Sequence, residues 1–255
     1  MSDQLKPQDP ATENLARPLY TPIKRRSFFM YAGATAGATA LLLSGCDDDD
    51  ENNTDDDPAT SITDVGSADV GVLNYAYALE QLEAAFYAQV VAGSYYAGAS
   101  AAEKQILGDI AIHERIHVDF FRTAITAATT ANPTLMLKPL NPEFGAIDFT
   151  SKTSVLGAAR TFEDLGVAAY NGAGQFITNP DYLVLAGKIV SVEARHAGLI
   201  RDLITTNTFV GEDVVNFNLT GANARQEKSK LPAEVLASAN TFLKADSQLS
   251  ATRLV

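Results

Sequence analysis

Three histidines and a few glutamates carry the chemistry that can be read along this chain. Two of the histidines close the same four-residue pattern, Glu114-Arg115-Ile116-His117 and Glu193-Ala194-Arg195-His196. Residues three apart on a helix share a face, so each Glu stands beside its His. That face is otherwise apolar, with Leu107, Ile110 and Phe121 in one segment and Ile189, Ile200 and Leu203 in the other. A carboxylate on an apolar stripe is costly unless it is paired or bound to a cation. A second pattern repeats as well. Glu80 is followed seven residues on by Tyr87, and Glu163 by Tyr170. The chain therefore spells Glu…Tyr, Glu-x-x-His, and then the same again.

These groups need elements to bring them together. Helical periodicity marks four long segments, near residues 68–91, 101–128, 151–178 and 181–206. Ser100 and Glu103 form a capping box at the second start. A weaker helical stretch follows Leu231-Pro232 to about residue 245. The first and second segments are joined by a short loop, as are the third and fourth, which forces two antiparallel hairpins. The midpoint between Glu80 and Glu114 is residue 97, inside the first loop; that between Glu163 and Glu193 is residue 178, inside the second. Residues equidistant from a turn lie at one height. Each Glu therefore faces its Glu-x-x-His partner, and pairing the hairpins puts six groups in one layer.

The connection between the second and third helices is long and carries Pro133, Pro139 and Pro142. Helices of this size reach about 38 Å at ~1.5 Å per residue. Extended chain covers that distance in roughly a dozen residues. The segment can thus run the length of the bundle and start the third helix at the far end.

Glu80, Glu114, His117, Glu163, Glu193 and His196 match the ligand pattern of bundles that hold two iron or manganese ions: one Glu from each of two helices and Glu-x-x-His from each of the others. Four carboxylates balance two divalent cations. Without metal, like charges would raise some of their pKa values or open the bundle. Hard oxygens with one imidazole per metal suit Fe or Mn, and zinc is also admissible. Glu83, one turn from Glu80, is either an acceptor for an imidazole N–H or a flanking residue. Tyr87 and Tyr170 either hydrogen-bond the ligands or fill core. His113 through His117 also spells His-Glu-x-x-His, the zinc-protease signature. That alternative leaves Glu80, Glu163 and the Glu193/His196 pair unexplained, so His113 is assigned as a near neighbour of the site or a core-edge residue.

The net charge of −12 gives no basic face for nucleic acid. One cysteine excludes an intrachain disulfide and any cysteine-based metal cluster. That cysteine closes a leader. Lys24-Arg25-Arg26-Ser27-Phe28-Phe29 is a twin-arginine pattern, and the apolar stretch from Tyr31 to Leu43 is too short for a stable span. Leu43-Ser44-Gly45-Cys46 resembles a bacterial lipoprotein box, which implies cleavage before Cys46 and lipidation of its thiol. The alternative is an uncleaved N-terminal helix. Eight of the 31 acidic residues follow between Asp47 and Asp57, a solvated spacer or a cation-attracting tail. Residues 1–46 thus make a signal, 47–66 an acidic tether, 67–206 the bundle and 207–255 a C-terminal extension. The expected location is the periplasm or cell envelope, lipid-anchored.

On the residues 74–87 (Asn-Tyr-Ala-Tyr-Ala-Leu-Glu-Gln-Leu-Glu-Ala-Ala-Phe-Tyr), on Phe162-Glu163-Asp164 with Tyr170, and on both Glu-x-x-His copies, the sequence resembles the bacterial ferritin-like domain family that includes the desiccation-related proteins. The likeness covers about residues 68–206. It implies an all-α, ferritin-like four-helix bundle with one long crossover between helices 2 and 3, plus the C-terminal extension, and by position the same six ligands. The function expected is reaction of two Fe or Mn ions with O2 or peroxide, in oxidant or desiccation stress protection or ferroxidation. The alternative is a non-enzymatic stress-related module in which metal only staples the helices. Partners expected are the membrane through the Cys46 anchor and O2 or peroxide; a homodimer is allowed, and bulk iron storage fits a tethered chain poorly.

Overall fold

The computed structural model describes residues 62–217, 220, 221, 224 and 226–254. The expected twin-arginine leader, Cys46 and residues 47–61 of the expected 47–66 tether lie outside the described residues, whereas residues 62–66, also expected in the tether, are ordered, with a strand at Thr63–Asp64 and Val65 buried. The described chain is all-α, with one two-residue strand pair.

Strand β1 (Thr63–Asp64) leads into helix α1 (Ala68–Ala92). A one-turn helix α2 (Ser94–Gly98) follows, then α3 (Ala101–Ala128). The first loop thus holds a helical turn where only a turn was expected. Helix α3 starts on its capping box: Ser100 N donates to Glu103 Oε2 at 3.1 Å, and Glu103 N donates to Ser100 Oγ at 3.3 Å. Helices α4 (Lys152–Ala173) and α5 (Pro180–Ile204) form the second hairpin. Helix α4 stops five residues short of the expected end at residue 178. Its last turn carries Gly172, and Gly174 follows at once; both are poor helix formers, and the chain tightens into a 3-10 turn at Gly174–Phe176. Asn179 then caps α5, with Pro180 in the first turn, where its missing N–H costs nothing.

Helix α1 packs along α3, and α4 along α5. The crossover from Thr129 to Ser151 runs beside α1 from its start to its end. Asn74 donates to Leu135 O and accepts from Leu137 N. Gln81 accepts from Leu140 N, and Phe149 O accepts from Tyr95 N. Helix α4 therefore begins at the end where α3 begins, and Lys152 pairs with Glu103 there. With partners on both sides, α1 is buried almost all round, which explains why its sequence is apolar on every face.

The C-terminal extension is part of the core. Helix α6 (Pro232–Ala239) buries Val235, Leu236 and Ala239 against α4. It ends at Ala239, short of residue 245, and continues as 3-10 turns at Asn240–Phe242 and Ala245–Ser247. Phe242 joins Phe86, Phe144, Phe149 and Phe162 in one aromatic cluster. Glu143 N donates to Phe242 O and Lys244 N to Asn141 O, which fastens the crossover. Strand β2 (Leu249–Ser250) pairs in parallel with β1, matching Thr63 to Leu249 and Asp64 to Ser250.

Candidate metal centre

The six residues Glu80, Glu114, His117, Glu163, Glu193 and His196 come together in the middle of the four long helices. All four glutamates have 0% exposure. They form two groups of possible ligand atoms, Glu80, Glu114, His117 and Glu193, and Glu114, Glu163, Glu193 and His196; within each group the atoms lie within 4.8 Å of one another. These are buried carboxylate and imidazole groups that could hold a metal ion.

The arrangement has a near two-fold pattern. His117 Nδ1 lies 3.1 Å from Glu80 Oε2, across the first hairpin. His196 Nδ1 lies 3.5 Å from Glu163 Oε2, across the second. Glu114 and Glu193 each face both imidazoles. Glu114 places Oε1 2.9 Å from His196 and Oε2 3.8 Å from His117. Glu193 places Oε1 2.9 Å from His117 and Oε2 3.5 Å from His196.

These approaches are close but mostly not directed as hydrogen bonds. Both oxygens of Glu114, both of Glu193, Glu163 Oε2 and His196 Nδ1 have no hydrogen-bond partner among the described residues. Buried polar atoms are nearly always satisfied. Six such orphans gathered in one place fit a donor set that could hold a cation. Among the described residues only the two imidazoles form ion pairs with these glutamates.

Crowding sets the electrostatics. Burial, then the nearby Glu193 charge, holds Glu80 well above the ordinary carboxylate value. Burial pushes Glu163 up to about 8. Burial opposes charge on His117, but its contacts with Glu114, Glu193 and Glu80 outweigh that and push it up to about 12. His196 is pushed up to about 12 in the same way by Glu114, Glu163 and Glu193. Burial likewise opposes charge on Glu114, yet its two imidazole neighbours lower it to about 2. Protons stand in for cations in the metal-free site.

The surrounding groups divide differently from the sequence assignment. Tyr87 and Tyr170 hydrogen-bond the glutamates, but each crosses to the opposite hairpin. Tyr87 OH donates to Glu163 Oε1 at 2.5 Å, and Tyr170 OH donates to Glu80 Oε1. Glu83 is buried, which removes the flanking alternative. Among the described residues it forms no ion pair with an imidazole. The site nitrogens of His117 and His196 face the other glutamates, and Glu83 Oε1 lies where a Cβ on Gly166 would come within 3.0 Å. A side chain at 166 would require the Glu83 carboxylate to give by a few tenths of an ångström. Burial, then the charge of Glu114, raises Glu83 well above the ordinary value.

His113 is exposed and stacks on His196, with Nδ1 2.9 Å from His196 Nε2. It belongs to neither ligand group. The His-Glu-x-x-His spelling therefore does not fold into a protease-type zinc site. Sequence reasoning missed the His113–His196 contact, because it joins helices from different hairpins. No helix among the described residues is long and apolar enough to cross a membrane.

No curated protein matches the chain. The family model described as a ferritin-like domain matches residues 68–206, from the start of α1 to just past the end of α5. That match spans more than half of the 255 residues and takes in all six clustered side chains. With two hairpins, one crossover and a central acidic and histidine cluster already in place, the chain belongs to the ferritin-like domain family.

Proposed function

We propose that this chain is an exported, lipid-anchored redox protein that holds two iron or manganese ions in the central site and reacts them with O2 or peroxide. The observation that carries this reading is the set of six buried donor atoms left without hydrogen-bond partners. Four glutamates with no exposure would be severely destabilising as bare charges. Two divalent cations neutralise them, and an oxygen-rich set with one imidazole per side favours iron or manganese.

In this reading Glu80 and His117 would hold one ion, and Glu163 and His196 the other. Glu114 and Glu193, which each place one oxygen near either imidazole, would be available to both. When bound, such a pair supplies redox equivalents and Lewis-acid activation of an oxygen species. The protein's own part is positional. Tyr170 fixes Glu80, Tyr87 fixes Glu163, and His113 orients the His196 ring through its outer nitrogen. Burial of all four carboxylates keeps bulk water from the centre.

The proposed cellular setting rests on the order of sequence features: paired arginines, a short apolar stretch, then Cys46 and an acidic spacer. Export of a folded protein with its metals in place suits that leader, and the envelope location implies protection against oxidants.

Purification from cells supplemented with iron and manganese tests the site. About two metals per chain are expected. The Glu114→Ala/Glu193→Ala variant should lose them while its helix content survives. Anomalous scattering at the iron and manganese edges identifies the element. Less than about one metal per chain in the wild type, unchanged in the variant, would overturn the proposal. Metal-loaded protein inert toward O2 and peroxide would instead indicate a structural role for the ions.

A further inference from the structure

The two ends of the bundle are not packed alike. Around the Glu163/His196 side, Phe86, Phe144, Phe149, Phe162 and Phe242 fill the interior. Around the Glu80/His117 side a cavity of about 30 Å³ remains, reached from the end where α1 begins. Its inner wall is built by neighbours of the site on all four helices. Leu79 adjoins Glu80, Phe121 lies one turn beyond His117, Ile189 one turn before Glu193, and Tyr170 holds Glu80. Ala76 and Ala124 line it as well, and their small side chains leave the space open. The mouth is made by partly exposed residues, among them Ile177, Tyr182 and Leu185.

We propose that this cavity is an oxygen-holding pocket that feeds O2, rather than peroxide, to the Glu80/His117 side of the site. The inference rests on the two-metal reading above and narrows its substrate. The volume admits about two water-sized molecules, but water needs several polar partners to reside there. The wall supplies few: the Asp69 carboxylate, which also lines it, is already engaged by Thr178 and Asn179. The Tyr170 hydroxyl is engaged with Glu80. Tyr75 has a buried hydroxyl with no hydrogen-bond partner among the described residues. One donor does not replace the hydrogen bonds that hydrogen peroxide gives up on leaving water. An apolar diatomic gives up none, so the pocket favours O2. On the Glu163/His196 side the aromatic cluster occupies the corresponding interior, and the proposed delivery is from the Glu80/His117 side.

Two measurements separate this proposal from the reading it rests on. The first uses metal-free crystals under xenon pressure, since xenon is an apolar probe of similar bulk. Xenon is expected against Leu79, Phe121 and Ile189. It should be lost in Ala124→Leu and, independently, in Ala76→Leu. The second loads these variants with Fe(II), counts bound metal, and follows oxidation by O2 and by hydrogen peroxide separately. Bound metal should equal the wild type's, the O2 rate should fall several-fold, and the peroxide rate should not change. Absence of xenon from the cavity overturns the proposal. So does wild-type O2 reactivity in a filled variant that binds its full metal, or an equal fall in both rates. Loss of metal binding in the wild type, seen in the metal count alone, marks failure of the two-metal reading itself.

Discussion

Tyr87, on the first hairpin, donates its hydroxyl to Glu163, on the second, at 2.5 Å. Tyr170 returns the same contact to Glu80. The hairpins are thus tied to each other through the two glutamates that each serve one side of the site. Replacing either tyrosine with Phe keeps the ring and removes only the hydroxyl. Metal affinity should fall about 10–100-fold, the usual cost of losing an outer partner. The buried oxygen left behind should cost about 1–3 kcal/mol of stability. Competition titration with a chelator and thermal unfolding measure the two effects. Unchanged affinity in both variants would mean the tyrosines merely fill space.

His113 contacts one imidazole of the pair, His196, and has no matching histidine on α5, where the apolar Val192 holds the equivalent place. His113→Ala should therefore weaken the two metals unequally. The ion on the His196 side loses about 10–100-fold in affinity, while the ion on the His117 side keeps its own. A metal titration of the variant should split into two steps. A single unsplit step at wild-type affinity would refute the asymmetry.

The metal-free protein should be less stable at neutral pH than in mild acid. Glu163 is raised by burial from 4.5 to about 8, so the folded state binds its proton more tightly than the unfolded state. That contribution is whole below pH 4.5 and is lost as pH rises toward 8. Glu80 and Glu83, also raised, act in the same direction. The imidazoles are held up to about 12, so their contribution is whole below 6.5 and persists through neutral pH. Glu114, lowered to about 2, weakens the fold only in stronger acid. Bound divalent metal replaces those protons, and affinity should rise with pH. Melting curves with chelator and with Mn(II), from pH 4.5 to 8, test the sign. A metal-free melting temperature that climbs over this range contradicts it.

Gly172 is where the C-terminal segment touches the bundle. A Cβ there would stand 1.8 Å from Lys230 O, a backbone atom with little freedom to move. Lys230 N also donates to Ala168 O, one helical turn earlier. Gly172→Ala should destabilise by the upper part of about 1–3 kcal/mol or more, by prising α6 from α4. Leu236→Ala, on the same interface, should cost about 2–5 kcal/mol. Denaturant titration measures both. Near wild-type stability in Gly172→Ala would mean that the segment docks loosely.

Much of the site was legible because its information is local. Each Glu-x-x-His pair lies within one turn, and each hairpin is closed by a short loop, so counting residues placed Glu80 opposite Glu114 and Glu163 opposite Glu193. Contacts between hairpins obey no such count. The tyrosine exchange, the His113–His196 stack and the fit of Glu83 against Gly166 depend on how the two hairpins sit on each other. The early end of α4 reflects two closely spaced glycines, Gly172 and Gly174. The role of residues 232–254 was hidden for a different reason. Their apolar side chains follow no long period, and their partners, Thr63, Asn141 and Glu143, are remote in sequence.

The pairing of Thr63 with Leu249 also bears on how the molecule is made. Asp64 collects hydrogen bonds from Gly66, Ser250, Thr252 and Arg253. Burial works against its charge, but these donors together hold its carboxyl below the usual range. This clasp cannot close until residues 249–253 have been synthesised, although all four long helices are complete by Ile204. A nascent chain therefore carries its hairpins unlatched until residues 249–253 have been made, and closing that latch is a long-range event.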